Sequence, residues 1–362
     1  MSQGFQEEQP YQLRMMSNSQ IQKIKAAVVG GGSFGEIHLK TLASMPQVEV
    51  AGLYTLEQDR SRELCLKYGG KSYESLLDLV SDPGVDLVTI ATPEYAHLEA
   101  FKEAVSHGKA VYVEKPLAST LDDARRMLAI SETVPAMSGH LLHFEQRVAH
   151  LFAKLRGVRK HHLAFRGRRT RLEKEIYGRV HPSSVILCHE IELSNAFAES
   201  SFQRVLAMET RFSEGQVDGI TILIEYENGV TSSVEGGWFL PAQSGCTEND
   251  FISIVSETGV DELGMPHLGN YSLSAEGMQT PNLFYGFDVY GVEYGPLRAA
   301  FDYFVRCILN GTKPQISTIQ DGFDAVQVIE GALLSVRENR WVTRQEMISQ
   351  NTSSQASTTL EL

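Results

Sequence analysis

The sequence predicts an α/β protein whose first domain is a doubly wound parallel sheet. Three observations predict it: short, nearly continuous apolar runs, helical patterns between those runs, and a glycine-rich turn directly after the first run. Continuous apolar strands that alternate with helices are typical of a parallel sheet covered by helices on both faces. At 362 residues the chain is long enough for a second domain.

The elements of the first domain follow one another from Lys23 onward. β-Branched apolar runs predict the strands, and apolar residues at helical spacing predict the helices. The predicted strands are 24–30, 48–54, 85–91, 110–114 and 135–140, and the predicted helices are 33–45, 59–69, 94–107 and 120–132.

After about residue 158 the pattern becomes rich in strands. The segments 204–212, 219–239 and 250–259 are predicted strands, and "ENG" at 227–229 is a predicted hairpin turn because asparagine and glycine accept positive φ. Two helices are predicted near 295–310 and 320–336. The polar ends, residues 1–22 and 346–362, are predicted to be disordered because they cannot bury enough apolar surface.

Composition excludes several classes of partner. A net charge of −13 argues against a nucleic-acid backbone or an anionic membrane. No apolar run approaches the ~20 residues of a membrane helix, and the start lacks the apolar centre of a secretory signal. The four cysteines have no metal-type spacing and indicate reduced thiols, so we expect a cytoplasmic protein without a bound metal.

The glycine-rich turn has the spacing Gly30-x-Gly32-x-x-Gly35 between a predicted strand and a predicted helix. Gly30 permits a tight turn, Gly32 lets a diphosphate approach the backbone, and Gly35 lets the helix pack on the strand. The helix N-terminus then offers free N–H groups to the phosphates. In this context the motif predicts dinucleotide binding.

The end of the second strand leaves the choice between NAD and NADP open. Thr55 follows that strand, and it could bind a 2′-phosphate whose charge Arg60 or Arg62 would neutralise. Glu57 could instead bind the ribose hydroxyls and select NAD. The residues favour NADP slightly.

Two further motifs follow predicted strands, "ATPEYAH" at 91–97 and "VEKPL" at 113–117. Together with the glycine turn they make the chain resemble the Gfo/Idh/MocA oxidoreductase family from about Lys23 to Thr343. The resemblance implies a Rossmann domain, 23–145, and a C-terminal α/β domain, 146–345. That second domain would carry a large open, mostly antiparallel sheet that forms a homodimer or homotetramer.

The resemblance also implies reversible hydride transfer between a nicotinamide and a hydroxyl-bearing carbon, often of a sugar. Lys115 and His189 are the expected catalytic residues, to take the hydroxyl proton or stabilise an alkoxide. The family often shows Asp-x-x-x-His on a helix here, but Val185 stands at the aspartate position. His189 therefore acts with Lys115 alone, or Glu192 supplies the carboxylate.

The remaining candidate residues fall into two sets. Those expected to bind the cofactor, by position in the motifs, are Gly30, Gly32, Ser33, Phe34, Gly35, Thr55, Arg60, Thr92, Pro93, His97, Glu114 and Lys115. Those expected to bind the substrate are His140, His143, Arg168 and Glu192. The charged stretch 166–179 could hold a carboxylate or phosphate.

The sequence thus predicts an NAD(P)-dependent oxidoreductase for a secondary alcohol or ketone of a sugar-like small molecule. Two alternatives remain. Because members without the aspartate include enzymes for acidic sugars such as sialic acid derivatives, the protein could be an NAD-dependent glycoside hydrolase or epimerase that recycles its cofactor internally. It could also be a non-catalytic sensor of a dinucleotide or sugar.

Overall fold

The computed structural model describes residues 23–212, 215–265 and 287–348, and the backbone of short segments at 272–274 and 277–279. The predicted disordered segment 1–22 lies outside these residues, and so do residues 349–362 of the segment predicted at 346–362. Residues 346–348 belong to a helix that starts at 344, and Met347 is buried in the core of the second domain. The predicted tail therefore does not begin at residue 346, because the methionine supplies apolar surface that the core buries.

The first domain contains a six-stranded parallel sheet with the strand order β3-β2-β1-β4-β5-β6. The strands are β1 (Ile24–Val29), β2 (Val48–Tyr54), β3 (Lys71–Ser72), β4 (Leu87–Ile90), β5 (Ala110–Val113) and β6 (Ala136–Ser138). The helices are α1 (Ser33–Ala43), α2 (Gln58–Tyr68), α3 (Leu76–Ser81), α4 (His97–Ser106) and α5 (Leu121–Ser131). This order confirms the predicted doubly wound Rossmann sheet.

The second domain begins with helices and one long strand, α6 (Gln146–Leu155), β7 (Lys160–Thr170), α7 (Arg171–Tyr177), α8 (Pro182–Val185) and α9 (Cys188–Ala198). Strands β8 (Phe202–Thr210), β9 (Gly219–Tyr226), β10 (Thr231–Leu240), β11 (Glu248–Ser256) and β12 (Gly259–Met265) follow. The last elements are β13 (Ser272–Ser274), β14 (Gly277–Gln279), β15 (Phe287–Val289), β16 (Val292–Tyr294), α10 (Pro296–Leu309), α11 (Ile319–Glu338) and β17 (Val342–Thr343).

Seven of these strands form one open sheet with the order β12-β11-β7-β10-β9-β8-β17. β7 and β10 run parallel, and the other neighbouring pairs are antiparallel. The predicted, mostly antiparallel sheet is therefore confirmed. The hairpin turn predicted at 227–229 joins β9 to β10, with Gly229 at φ +85°.

β7 lies in the middle of this sheet, although its charged sequence predicted no strand. Side chains alternate along a strand, so Arg166 and Arg168 lie on one face and Gly167 and Arg169 on the other. The second face packs against α9, where Gly167 contacts Glu190. The stretch 166–179 therefore forms the end of β7 and the helix α7.

The two domains share core residues from the end of the chain. Phe301 and Phe304 of α10 pack with Leu39 of the first domain. Ile319 and Val326 of α11 are buried in another cluster of the first domain. The domain boundary at 145/146 remains a prediction. Helices α10 and α11 follow this boundary in the chain but pack partly against the first domain. Among the helices that the structure describes, none combines the length and apolar character needed to cross a membrane.

Candidate functional site

The glycine turn brings three backbone segments into close contact. A Cβ on Gly30, whose φ is +110°, would lie 2.6 Å from the carbonyl oxygen of Ala91. A Cβ on Gly35 would lie 1.9 Å from the carbonyl oxygen of Gly30. Gly30 and Gly35 therefore have to be glycine for the turn and helix α1 to pack as they do.

Gly32 differs from these two glycines because an added Cβ would meet nothing within 4 Å. It is the N-cap residue of α1 and makes no side-chain capping bond, and Ser33 beside it is exposed. The first backbone N–H groups of α1 therefore face an open surface. This arrangement fits the diphosphate of a dinucleotide, which binds at such helix N-termini.

The residues after β2 are held by contacts within the chain. Thr55 packs against Gly31, and the Arg60 guanidinium bonds Glu36 at 2.5 Å and Glu63 at 2.9 Å. The exposed Arg62 pairs with its helix neighbour Asp59. Both arginines predicted to hold a 2′-phosphate are therefore engaged by carboxylates in this structure.

His97 holds two of the predicted cofactor loops together. It is 1% exposed, and its ring nitrogens lie 3.0 Å from the carbonyl oxygen of Thr92 and 3.1 and 3.2 Å from those of Pro116 and Leu117. His97 therefore positions the loop after β4 relative to the loop after β5. The Thr92 Oγ1 beside it is buried without a hydrogen-bond partner.

Glu114 is anchored to helix α1 by a residue that the sequence analysis did not single out. Its Oε1 lies 3.1 Å from Nε2 of His38, which is fully buried, and its Oε2 accepts the backbone N–H of Lys115 at 3.1 Å. The His38 ring packs edge-on against Tyr112 and Phe301. These contacts fix the Glu-Lys-Pro turn.

Lys115 extends from this turn toward the second domain. Its Nζ donates a hydrogen bond of 3.2 Å to the carbonyl oxygen of Val185, the last residue of α8. Two residues, Ile186 and Leu187, separate α8 from α9, so Val185 and His189 are not on one continuous helix as the resemblance implied. The position without an aspartate side chain thus contacts Lys115 through its backbone.

Two histidines lie beside Lys115 with no hydrogen-bond partner on any ring nitrogen. The rings of His140 and His189 are 5.6 Å apart and edge-on, and both residues are buried. Burial lowers the pKa of His140 to about 3 and that of His189 well below its usual value, and the Lys115 charge adds to both effects. Both rings are therefore neutral near neutral pH.

His143 and Glu192 form a separate pair. The His143 Nε2 lies 2.7 Å from the Glu192 Oε1, and the His143 ring stacks on Phe152. Burial alone would lower the pKa of His143, but the Glu192 carboxylate more than offsets this, and the pKa is raised. The alternative in which Glu192 supplies a carboxylate to His189 is corrected, because the Glu192 carboxyl group bonds His143 and neither His189 ring nitrogen has a partner.

Glu190 is the carboxyl group that the sequence analysis did not include. It is 3% exposed, and neither oxygen has a hydrogen-bond partner. Burial raises its pKa to about 8, and the nearby Asp250 adds to this effect, while Arg169 and Lys115 oppose it. We call Lys115, His140, His189 and Glu190 the Lys115 cluster.

Arg169, rather than Arg168, lies on the same face of β7 as this cluster. Its guanidinium binds both carboxyl oxygens of Asp250, at 3.1 Å for Nη2 to Oδ2. Burial raises the pKa of the neighbouring Glu248 to about 7. Arg168 points to the opposite face, where it bonds Glu235 at 2.6 Å, so it does not reach the Lys115 cluster.

The described residues contain no group of three or more His, Cys, Asp or Glu side chains placed to share a metal ion. Their arrangement instead defines a two-domain Rossmann-fold protein with a polar cluster at the strand ends of the first domain. Residues 24–138 match the model described as "Oxidoreductase family, NAD-binding Rossmann fold". The match to this Gfo/Idh/MocA model covers the first domain, and the second domain lies outside it.

Several curated proteins resemble the first domain. An uncharacterized oxidoreductase of Streptococcus pneumoniae is 36% identical over 129 residues, which are 35% of each chain. Glucose-6-phosphate 3-dehydrogenase of Bacillus subtilis is 30% identical over 108 residues, 30% of each chain. Inositol 2-dehydrogenase 1 of Saccharopolyspora erythraea is 33% identical over 109 residues, 29% of this chain and 32% of that protein. The chain thus spans about a third of the length of these relatives.

Solved structures resemble almost the whole chain. A probable dehydrogenase from Thermotoga maritima has a TM-score of 0.76 at 19% identity, over 90% of this chain and all of that one. A myo-inositol dehydrogenase from Lactobacillus casei, in complex with NAD(H) and myo-inositol, has a TM-score of 0.74 at 20% identity, over 89% and 96% of the two chains. At these identities the likeness establishes the two-domain fold.

Proposed function

We propose that this protein is an NAD(P)-dependent oxidoreductase that transfers a hydride between a nicotinamide and a secondary alcohol or ketone of a sugar-like substrate. One observation carries the proposal: four ring nitrogens and two carboxyl oxygens of the Lys115 cluster are buried without a hydrogen-bond partner. Buried polar atoms nearly always have partners, and a ligand with several hydroxyl groups would supply them. Two curated relatives are named for inositol and glucose 6-phosphate, both polyhydroxylated rings.

The glycine turn and Thr92 are the groups of this chain that would hold the cofactor. When bound, the nicotinamide supplies the hydride chemistry, and the protein supplies orientation and proton transfer. The open N-terminus of α1 fits the diphosphate, and the unpartnered Thr92 Oγ1 fits a further polar contact. His97 and His38 keep the two loops in place from behind.

His189 and Lys115 divide the remaining chemistry. His189 is neutral and has a free ring nitrogen, so it can accept the proton of a substrate hydroxyl. The Lys115 side chain, held by the Val185 carbonyl, stabilises negative charge that develops on the same oxygen. No carboxylate bonds either His189 ring nitrogen, so this pair works without an aspartate relay.

For the cofactor we propose NAD. Arg60 would have to leave both Glu36 and Glu63 to neutralise a 2′-phosphate, and Glu36 itself would repel that phosphate. We expect NAD to bind at least about tenfold more tightly than NADP, which corresponds to ~1.4 kcal/mol. Titration of nucleotide-free protein with each cofactor measures this, and tighter binding of NADP contradicts the assignment.

The function is tested by incubating the protein and NAD with a panel of cyclitols and aldoses while following reduced nicotinamide. Lys115→Met is expected to lower turnover by ~10³-fold with little loss of cofactor affinity, because the side chain stabilises charge that forms only during reaction. Lys102→Met, an exposed helix position, is the matched control. Product formation without net reduced cofactor would indicate internal recycling, and unchanged turnover of Lys115→Met would contradict the proposed role.

We further propose that the outer face of the seven-stranded sheet forms a homodimer or homotetramer. This face carries three exposed apolar side chains, Met208 (60% exposed) on β8, Leu223 (36%) on β9 and Val260 (61%) on β12. Light scattering of wild type and Met208→Glu measures the effect. The wild type is expected to be oligomeric, and the variant is expected to dissociate at a higher protein concentration than the wild type.

A further inference from the structure

We propose that Arg179 of the second domain positions a cofactor loop of the first domain and thereby slows release of the cofactor. This loop comprises residues 92–96, which follow β4, and we call it the Thr92 loop. Arg179 lies between α7 and α8 and contacts the loop through Glu94. The effect on release rests on the proposed function, whereas the positioning of the loop does not.

The contact between Arg179 and Glu94 is a paired hydrogen bond between charged groups. The Arg179 Nη1 donates to the Glu94 Oε1 at 2.5 Å, and its Nη2 donates to the Oε2 at 3.1 Å. Two parallel bonds fix the orientation of both side chains, which a single bond from a flexible cation does not. Burial alone would raise the pKa of Glu94, but the bond to Arg179 more than offsets this, and the pKa is lowered. Glu94 is therefore charged near neutral pH.

The two ends of the Thr92 loop are held by contacts within the first domain. At its start, the Thr92 backbone nitrogen would lie 3.0 Å from a Cβ on Gly30, and at its end a His97 ring nitrogen lies 3.0 Å from the Thr92 carbonyl oxygen. The turn between these contacts, Glu94–Ala96, buries none of its residues. The ion pair to Arg179 therefore supplies a restraint that packing does not give this turn.

Arg179 itself belongs to a segment that is anchored to the second domain on both sides. Before it, Lys174 of α7 donates a hydrogen bond of 2.6 Å to the Asp218 Oδ1. After it, His181 is the N-cap residue of α8, and its Nε2 lies 3.3 Å from the Glu209 Oε1 of β8. The segment therefore presents Arg179 to the Thr92 loop from a fixed backbone.

The same segment also contacts the loop after β5. The Val185 carbonyl oxygen accepts the hydrogen bond of 3.2 Å from the Lys115 Nζ. The strand-end loops after β4 and β5 are thus both bonded to residues 179–185 of the second domain. Because dinucleotides bind at this edge of a doubly wound sheet, we expect that loss of the Arg179 contact lets the Thr92 loop open more often and the cofactor leave faster.

The positioning of the loop is tested by backbone hydrogen exchange of the cofactor-free, full-length protein, measured by mass spectrometry over residues 92–98. Arg179→Met and Glu94→Gln are each expected to raise the exchange rate by ~2–5-fold, the range of a partly exposed ion pair. The double variant is expected to exchange like either single variant, because both substitutions remove the same contact. Arg126→Met, whose exposed guanidinium pairs with Asp122 on α5, is the matched control and is expected to exchange like wild type.

Retention of the cofactor is tested by displacing reduced NAD with excess NAD while following the nicotinamide fluorescence. Release is expected to be ~2–5-fold faster from both single variants and no faster still from the double variant. Arg179→Lys keeps the charge without the paired geometry and is expected to recover part of the retention. Raising the salt from ~0.05 M to ~0.5 M is expected to speed release from wild type more than from Arg179→Met, because salt screens the half-exposed ion pair.

Each outcome bears on a separate part of the proposal. Unchanged hydrogen exchange in both single variants would overturn the positioning of the loop, whether or not the cofactor binds. Faster exchange with unchanged release would overturn the role in cofactor retention, and additive effects in the double variant would show that Arg179 acts apart from Glu94. If the wild type binds no reduced NAD, the proposed function fails together with cofactor retention, and hydrogen exchange still decides the positioning.

Discussion

The buried polar groups around the strand ends of the first domain form two sets that differ in their hydrogen bonding. The supporting set, His97, His38 and Glu114, is bonded to backbone carbonyls, to a backbone N–H or to one another. The facing set, His140, His189 and Glu190, has no bonded side-chain nitrogen or oxygen. Both sets are more than nine-tenths buried, so burial does not explain the difference.

We infer from this difference that the supporting set holds the site together and that the facing set is available to a ligand. Burying an unpaired polar group costs free energy that a paired group does not incur. The supporting set therefore stabilises the loops after β4 and β5, whereas the facing set lowers stability in the unliganded protein. Variants of the two sets are accordingly expected to fail in different assays.

The largest expected effect is on catalysis by the facing set. His189→Asn is expected to lower kcat by ~10²–10⁴-fold, because a positioned general base contributes about that much. Its unfolding free energy is expected to stay the same or to rise, since two unpartnered ring nitrogens are removed. Steady-state kinetics and urea unfolding of the same preparation measure both quantities. A variant that keeps full kcat would remove His189 from the proposed mechanism.

Acid is expected to destabilise the protein through the same histidines. His140 has a pKa of about 3 when folded, against an ordinary value of about 6.5 when unfolded, so between these values only the unfolded state binds the proton. Stability is therefore full above about pH 6.5 and falls as the pH is lowered. At about pH 5 the loss is ~2 kcal/mol for His140, and His189 adds a loss in the same direction.

Urea unfolding at a series of pH values tests this expectation, with His140→Gln as the comparison. The variant is expected to show a shallower loss of stability with acid than the wild type. Identical pH dependence of the two proteins would show that His140 is not held neutral in the folded state.

Substitution of a residue in the supporting set is expected to lower the unfolding free energy of the protein. His38→Asn leaves the Glu114 Oε1 without its partner and removes the ring packing on Tyr112 and Phe301, at an expected cost of ~1–3 kcal/mol. The kcat of His38→Asn is measured well below the midpoint temperature of its thermal unfolding. It is expected to change less than the kcat of His189→Asn. A larger loss of kcat than of stability would place His38 with the facing set.

Much of the fold could be predicted from the sequence because apolar strands and helical spacing are local signals. β1 to β6 except the two-residue β3, the glycine turn, the 227–229 hairpin and the two late helices are all confirmed in place. β7 was missed because its charged residues hide the alternation, and the break between α8 and α9 was missed because "SSVILCHEIEL" keeps helical composition through Ile186.

The site was harder to predict because pairing depends on contacts between distant segments. The motifs placed Lys115, His140 and His189 in one region, but not the bond from Lys115 to the Val185 carbonyl or that from Glu192 to His143. Glu190 follows His189 directly, but only the packing of α9 on β7 shows that its carboxyl group is buried beside Gly167. Choosing Arg169 over Arg168 requires the register of β7, which no local pattern gives.

The smallest expected effect comes from comparing two unpaired threonine hydroxyls, one proposed to contact the cofactor and one not. Thr92 and Thr89 both carry a buried Oγ1 without a partner, but Thr92 follows β4 in the loop beside the glycine turn and Thr89 lies inside the strand. Replacing either by valine removes the unpaired hydroxyl and is expected to raise the unfolding free energy by up to ~1 kcal/mol. Only Thr92→Val is expected to weaken cofactor binding, by several-fold, because only its hydroxyl lies where the dinucleotide is proposed to bind. Titration with NAD and urea unfolding of both variants decide the matter, and equal affinities would mean that an unpaired oxygen at this edge does not by itself mark a ligand contact.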